Sequence, residues 1–133
     1  MHSIIKYCVL MVLVAGSAFA ADTEKARRYF GDDILVDQNQ QRHRFYSDLL
    51  AGHVVLINVV FSSCDGACPL QTQTLRKVKN DLGPRFDQEI RFLSLSVDPK
   101  NDTPETLKKF ARKQGVDEEG WYFLDAEPDT MRK

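Results

Sequence analysis

The chain has 133 residues, with 18 basic and 19 acidic side chains and a formal net charge of −1. The two signs are interspersed, so the sequence lacks the basic patch that a nucleic-acid partner or an anionic membrane surface would require. The length allows one domain with a modest core. Composition therefore argues against a nucleic-acid-binding protein and indicates a small globular one.

Residues 1–20 have the pattern of a secretory signal peptide. Lys6 supplies the positive charge, residues 7–16 form the apolar segment, and residues 18–20 are a small-x-small cleavage site. The apolar stretch is shorter than the roughly 20 residues that a membrane-spanning helix needs. We therefore expect cleavage after Ala20 and export to the periplasm, with membrane association only if the signal stays uncleaved.

The first elements predicted after the signal peptide are an arm and a hairpin. Residues 21–31 are polar and predict a loose arm. Residues 32–46 contain a short apolar run, a polar turn at 37–40 and a return to Tyr46, which is the pattern of two antiparallel strands. A brief helical turn is expected over residues 47–52.

The next element is an apolar strand over residues 54–61 that leads directly into Cys64 and Cys68. Apolar side chains on both faces are typical of a central parallel strand covered by helices. A helix is expected next, over about Ala67–Leu82, with both cysteines on one face within its first turn and a half. There the helix dipole favours thiolate over thiol.

The remaining chain predicts a strand over 90–97, a helix from Thr103 to Gly115, a strand over 121–124 and the start of another helix at 127–129. Alternating strands and helices predict an α/β fold with parallel strands. A strand that is apolar on both faces needs neighbours on both edges. We therefore expect the domain, residues 21–133, to be incomplete at its C-terminal end.

Cys64 and Cys68 are the candidate site, because two sulfurs this close in sequence can close a disulfide or bind one soft metal ion. In an oxidising compartment the pair is normally a disulfide unless a reductant or a metal keeps it open. A purely structural disulfide would contribute only about 2 kcal/mol for so short a loop. The position at the end of a buried strand favours metal or redox chemistry.

The histidines and two acidic residues are weaker candidates. His53 begins the strand whose other end carries the cysteines, which puts it roughly 26 Å from them at about 3.3 Å per residue. His43, in the hairpin, is expected to be solvated or hydrogen-bonded. Asp98 and Asp102 are expected to be loop and helix-start residues, and Trp121 is expected in the core.

Three blocks of the chain resemble the Sco/SenC family, the thioredoxin-like copper-delivery proteins of cytochrome c oxidase assembly. They are FSSCDGACP at 61–69, LSVDPKNDTPETLKKFA at 95–111 and WYFLDA at 121–126. The family commonly has Pro and Asp after the first cysteine, where this chain has Asp65 and Gly66. The resemblance implies a thioredoxin-like fold, with a mixed sheet and flanking helices, that lacks its C-terminal hairpin and helix here.

The resemblance also implies a copper site. In the family, the two cysteines bind copper together with a histidine much further along the chain, whereas this sequence has no histidine after His53. Cys64 and Cys68 are therefore expected to be two of three copper ligands. The third ligand is expected beyond Lys133, as in a chain that is a fragment of a longer domain.

The function implied is copper delivery toward cytochrome c oxidase assembly, gated by oxidation of Cys64 and Cys68 to a disulfide. The expected partners are a copper-accepting oxidase subunit and a thiol reductant, and the protein is expected to be a metallochaperone rather than an enzyme. The alternative is an exported thiol-disulfide oxidoreductase in which Cys64 attacks and Cys68 resolves. A cysteine peroxidase and a binding module without either chemistry remain further alternatives.

Overall fold

The computed structural model describes residues 22–125. Its strands are β1 (Ile34–Asp37), β2 (Arg42–Arg44), β3 (Val54–Val60), β4 (Ile90–Ser96) and β5 (Trp121–Asp125). Its helices are α1 (22–30), α2 (Ala67–Leu82) and α3 (Pro104–Gln114), with a π-helical turn at Phe45–Leu50 and a 3₁₀ turn at Gly83–Arg85. The predicted signal peptide and the helix start predicted at 127–129 lie outside the described residues.

Residues 22–30 form helix α1, so the prediction of a loose arm is wrong. The segment is rich in Ala, Lys, Arg and Glu, which are good helix formers, and Arg27 donates to Glu24 at 2.9 Å. Gly31, at a φ of 75°, ends the helix by donating its N–H to the carbonyl of Arg27. Helix α1 and the elements from β1 onward belong to two compact units that divide at Asp32.

The predicted hairpin is confirmed as β1 and β2, which pair antiparallel with Leu35 opposite His43. The Asp37 carboxylate builds the turn by accepting the backbone N–H groups of Asn39 and Gln41, at 2.7 and 2.9 Å. Its second oxygen lies 2.9 Å from Nε2 of His43. His43 is therefore hydrogen-bonded within the hairpin, as predicted.

The five strands form one mixed sheet in the order β2-β1-β5-β4-β3. Strands β3, β4 and β5 are parallel, and β1 is antiparallel to both β2 and β5. Within residues 22–125, β3 pairs only with β4, so the prediction of a central β3 is wrong for this part of the chain. Its Val54, Ile57 and Val59 side chains are 65%, 45% and 55% exposed. The apolar sequence of β3 does not determine its place in the sheet. Strand order is set by pairing between segments that are distant in the sequence.

Two apolar clusters lie on opposite faces of the sheet. Phe92 and its neighbour Leu93 belong to different clusters, as the alternation of side chains along a strand requires. The cluster under α2 and α3 contains Val60, Cys68, Phe92, Leu107, Phe110, Ala111, Val116, Trp121 and Phe123. The other contains Leu35, Leu49, Leu93 and Leu124, with the π-helical turn against it. Cys68 is therefore part of the helix-covered core.

Helix α3 begins and ends where its sequence predicts. The Thr103 hydroxyl accepts the Thr106 N–H at 3.3 Å and the Thr106 hydroxyl accepts the Thr103 N–H at 2.8 Å, which together form a capping box. Pro104 occupies the first turn, and Gly115 closes the helix in the left-handed region at a φ of 70°. These local signals determine where the helix that packs against β5 begins and ends.

The predicted α/β class, with a mixed sheet and flanking helices, is confirmed for residues 22–125. In this range no helix combines the length and the apolar composition needed to cross a bilayer. The expected absence of a hairpin and a helix concerns residues outside the range.

Candidate dithiol site

The two cysteines lie in the connection between β3 and α2. Strand β3 ends at Val60 and α2 begins at Ala67, so Cys64 lies in the loop and Cys68 in the first helical turn. The prediction that both cysteines share one helix face is therefore wrong. Gly66 occupies the N-cap position and has no side chain that could accept a hydrogen bond from the first turn. The amide groups at the start of α2 need another acceptor.

The Cys64 sulfur is that acceptor. It accepts the backbone N–H of Cys68 at 3.3 Å, and the nearby backbone amides of Gly66 and Ala67 also favour its thiolate. The largest contribution comes from the thiol of Cys68, and together these donors hold the pKa of Cys64 below that of an ordinary thiol. Cys64 is half-buried, so its activated sulfur remains accessible.

Cys68 has the opposite character, since it is only 7% exposed and lies in the helix-covered core. Burial raises the pKa of Cys68, and the hydrogen bond to Cys64 raises it further. The negative charge of Asp102 makes a smaller contribution in the same direction. The pair is therefore asymmetric, with a thiolate favoured at the surface and a protonated thiol favoured beneath it.

Both sulfurs are free thiols in the structure, so the disulfide between Cys64 and Cys68 stays a prediction. His53 lies with Nδ1 3.0 Å from the carbonyl oxygen of Ala51, and His43 is bound in the hairpin. The described part of the chain has no group of three or more His, Cys, Asp or Glu side chains placed to hold a metal ion. That Cys64 and Cys68 are copper ligands stays a prediction.

Asp102 belongs to the site, although its sequence position predicts only a helix-start residue. It is 2% exposed, and its carboxylate accepts the Ser62 N–H at 2.9 Å and the Ser96 hydroxyl at 2.6 Å. Because Ser62 lies two residues before Cys64, the carboxylate ties the cysteine loop to the end of β4. Nothing in the local sequence distinguishes this role from that of an ordinary residue before a helix cap.

A second, partly buried chain of hydrogen bonds ties α2 to the sheet. Asn58 donates to Oε1 of Gln71 at 3.3 Å and accepts the Ser94 hydroxyl at 2.8 Å. The indole N–H of Trp121 donates to the same Ser94 oxygen at 3.0 Å. Gln71 lies about one turn after Cys68, so this chain fixes the sulfur-bearing end of α2 against three strands.

Alkylation should distinguish the two thiols. Because the pKa of Cys64 is lowered and that of Cys68 is raised, we expect iodoacetamide to modify Cys64 first, with a rate that rises at lower pH than for an ordinary thiol. Cys68 should react only at higher pH. Peptide mass spectrometry of the reduced protein between about pH 5 and pH 10 measures both profiles. In urea the two profiles should coincide, and coincident profiles in the folded protein would contradict the assignment.

The fold and the site together define a class. A mixed sheet with helices on its flanks, and a dithiol between a parallel strand and the helix that follows, is a thioredoxin-like domain with a dithiol site. The sequence pattern of the SCO1/SenC family matches residues 22–122, and the chain belongs to this family. The family prediction is confirmed.

Individual relatives agree with this membership. The SCO1 protein homolog of Bacillus subtilis is 34% identical over 87 residues, which are 65% of this chain and 45% of the relative. The chain thus spans about half the length of the curated relatives it matches, or less.

Two solved structures carry the same fold. One is the structure of BsSco, which is described as a member of the Sco family of cytochrome c oxidase assembly proteins with a disulfide switch. It matches with a TM-score of 0.65 and 28% sequence identity, and the match covers 77% of this chain and 58% of BsSco. The Bradyrhizobium japonicum protein ScoI, solved with copper bound, matches with a TM-score of 0.67 and 25% identity over 77% and 61%. The predicted thioredoxin-like fold is confirmed.

Proposed function

We propose that the protein is an exported carrier of Cu(I) that holds the ion through Cys64 and Cys68 and delivers it toward cytochrome c oxidase assembly. The observation that carries the proposal is the pair of cysteines at the start of α2, one half-buried and one buried, with the Cys68 N–H donating to the Cys64 sulfur at 3.3 Å. Thiolates are soft ligands that select Cu(I) over harder cations. Membership of the SCO1/SenC family supports the proposal, as does the similarity to a relative solved with copper bound.

The asymmetry of the pair suggests an order of events. Cys64 binds the ion first, because its sulfur is accessible and favours the thiolate. Coordination by the second sulfur then displaces the proton of Cys68. A partner with a competing site removes the ion by ligand exchange at the accessible sulfur, so the protein transfers a metal without turning over a substrate.

The proposal includes a third ligand and a redox gate. The third ligand is a histidine expected beyond Lys133. Oxidation of the two thiols removes two electrons and two protons, forms the Cys64–Cys68 disulfide and abolishes the soft site, and a thiol reductant restores it by exchange. The partners proposed are therefore a copper-accepting oxidase subunit and a thiol reductant. Export is proposed from the signal-peptide pattern of residues 1–20.

Anaerobic titration of the reduced protein with Cu(I), against a competing chelator, tests the proposal. We expect one equivalent to bind. Either Cys64→Ser or Cys68→Ser should lower the affinity by more than about a hundredfold, since each removes a direct ligand and even an outer hydrogen-bond partner is worth about 10- to 100-fold. The titration is run on the 133-residue chain and on a form extended by any coding sequence that follows Lys133. The extended form should bind more tightly.

The matched control is His53→Gln. The imidazole of His53 is hydrogen-bonded to the Ala51 carbonyl before β3 begins, so its removal should leave the affinity unchanged. Copper binding by the extended form that is insensitive to Cys64→Ser would end the proposal.

A second function, thiol-disulfide exchange, is favoured by the opposite pKa shifts of the two thiols. The Cys64 thiolate attacks a partner disulfide, forming a mixed disulfide and releasing one partner thiolate. Cys68 then attacks the Cys64 sulfur, which releases the second partner thiolate and leaves the Cys64–Cys68 disulfide. A Cys68→Ser variant that traps a mixed disulfide, in a protein that binds no Cu(I), would select exchange over delivery.

A further inference from the structure

A cleft opens beside Cys64, between the cysteine loop and α3. Its volume is about 270 Å³, and its lining includes Cys64, Pro69, Thr106, Lys109, Phe110 and Lys113. Phe110 is buried in the same core cluster as Cys68. The apolar part of the cleft is therefore the edge of the packed core. Cys68 itself is not among the lining residues. A group that enters the cleft therefore meets the accessible sulfur of the pair.

The α3 side of the cleft is positively charged. Lys109 and Lys113 are four residues apart on the helix, which puts them on one face, and both are exposed. The other charged residue in the lining is Asp65, and Glu105 lies within electrostatic reach of Lys109. The lining thus carries two positive charges and one negative, beside a sulfur that favours the thiolate.

The size of the cleft limits what it can hold. Pockets that enclose a small molecule usually exceed about 300 Å³, and this cleft is smaller. It has room for a few side chains of a segment laid across it. Such a segment could contact three different features of the cleft together. These are its apolar surface, the Cys64 sulfur and the two ammonium groups.

We propose that the cleft recognises a polypeptide segment of a partner protein in which a cysteine is flanked by acidic side chains. The partner sulfur meets Cys64, the apolar part of the segment covers Pro69 and Phe110, and the carboxylates face Lys109 and Lys113. The inference rests on the proposed function, since copper delivery and thiol exchange both need a partner ligand to reach Cys64. Opposite charges around the contact accelerate association, and this acceleration weakens as salt is added.

Three activated peptides of equal length provide the test. Each carries one cysteine as a mixed disulfide with 2-thiopyridine, flanked by glutamates, by lysines or by glycines. The Cys64 thiolate attacks the peptide sulfur, a disulfide to the peptide forms, and 2-thiopyridone leaves with the electron pair and takes up a proton. Its absorbance gives the rate of this first step in the reduced protein, whatever the Cys68 thiol does afterwards.

At low ionic strength we expect the glutamate peptide to react at least about tenfold faster than the lysine peptide, and the ratio to approach one in high salt. Lys113→Glu should reduce the ratio and Lys109→Glu with Lys113→Glu should invert it. Lys77→Glu is the matched control, because Lys77 is also an exposed helical lysine but does not line the cleft. Far-UV circular dichroism checks that each variant is folded.

The glycine peptide distinguishes a failure of charge selection by the cleft from a failure of the peptide sulfur to reach Cys64. If it reacts readily but the charged peptides do not differ, or if Lys77→Glu changes the ratio as much as Lys113→Glu, the cleft does not select acidic segments and the inference is wrong while the proposed function stands. If no peptide reacts faster with the folded protein than with free cysteine at the same pH, the cleft does not bring the peptide sulfur to Cys64 and the inference is wrong; the proposed function fails separately, through Cu(I) binding that is insensitive to Cys64→Ser.

Discussion

Replacement of Asp102 by alanine is expected to destabilise the protein by about 3 kcal/mol, because it leaves the Ser62 amide and the Ser96 hydroxyl without their buried acceptor. Each donor that loses its partner in the interior costs about 1–3 kcal/mol. The loss is large against the roughly 5–15 kcal/mol that stabilises a typical domain. Urea unfolding followed by tryptophan fluorescence measures it.

Asp102→Asn separates the geometry from the charge. The amide oxygen can still accept the Ser62 N–H and the amide nitrogen can donate to the Ser96 oxygen, so we expect a loss of only about 1 kcal/mol. The negative charge, however, disappears. Because Asp102 contributes to the raised pKa of Cys68, the alkylation profile of Cys68 should move to lower pH. An alanine variant as stable as the asparagine variant would show that the carboxylate does not hold the loop.

Trp121→Ala is expected to cost about 4 kcal/mol, which is the largest loss among the variants considered, because it opens a cavity in the core. Trp121 is 1% exposed, lies edge-on to Phe92 with ring centroids 5.1 Å apart and is stacked on Phe123 at 5.9 Å. Its indole also donates to Ser94. It is the single tryptophan of the chain, so unfolding is followed by far-UV circular dichroism instead of fluorescence.

Trp121→Phe keeps an aromatic ring in this position and removes the hydrogen bond to Ser94. We expect it to lose about half as much stability as Trp121→Ala, since a smaller cavity remains and the Ser94 hydroxyl still donates to Asn58. This variant stays informative if the alanine variant does not fold. A phenylalanine variant as stable as the original would show that neither the indole volume nor its N–H matters here.

The sequence predicts the parts of the fold that depend on local chemistry. Helix α3 is the clearest case, because Thr103 and Pro104 at its start and Gly115 at its end act on neighbouring backbone groups. The hairpin is another, since the Asp37 carboxylate bonds groups within six residues of it, in the turn and in β2. The candidate site is also predictable from the sequence, because the two cysteines are separated by only three residues and come directly after an apolar strand.

The predictions that were wrong concern distant contacts or weak local signals. The edge position of β3 depends on the order in which separate strands pair. The bounds predicted for α2 are confirmed, but Cys64 lies in the loop before the helix, where its sulfur accepts the Cys68 N–H that the N-cap residue Gly66 cannot accept. The role of Asp102 depends on Ser62, which is 40 residues away in sequence.

The position of Cys68 beside Cys64 also determines how the site responds to peroxide. Hydrogen peroxide oxidises an accessible thiolate to a sulfenic acid, and excess peroxide carries a sulfenic acid on to an irreversible sulfinic acid. In this protein the backbone N–H of Cys68 already donates to the Cys64 sulfur at 3.3 Å, which holds the two residues together, so the Cys68 thiol can condense with the sulfenic acid, releasing water and closing a disulfide. The buried cysteine thus protects the half-buried one, because it consumes the sulfenic acid before irreversible oxidation and leaves a disulfide that a reductant can open.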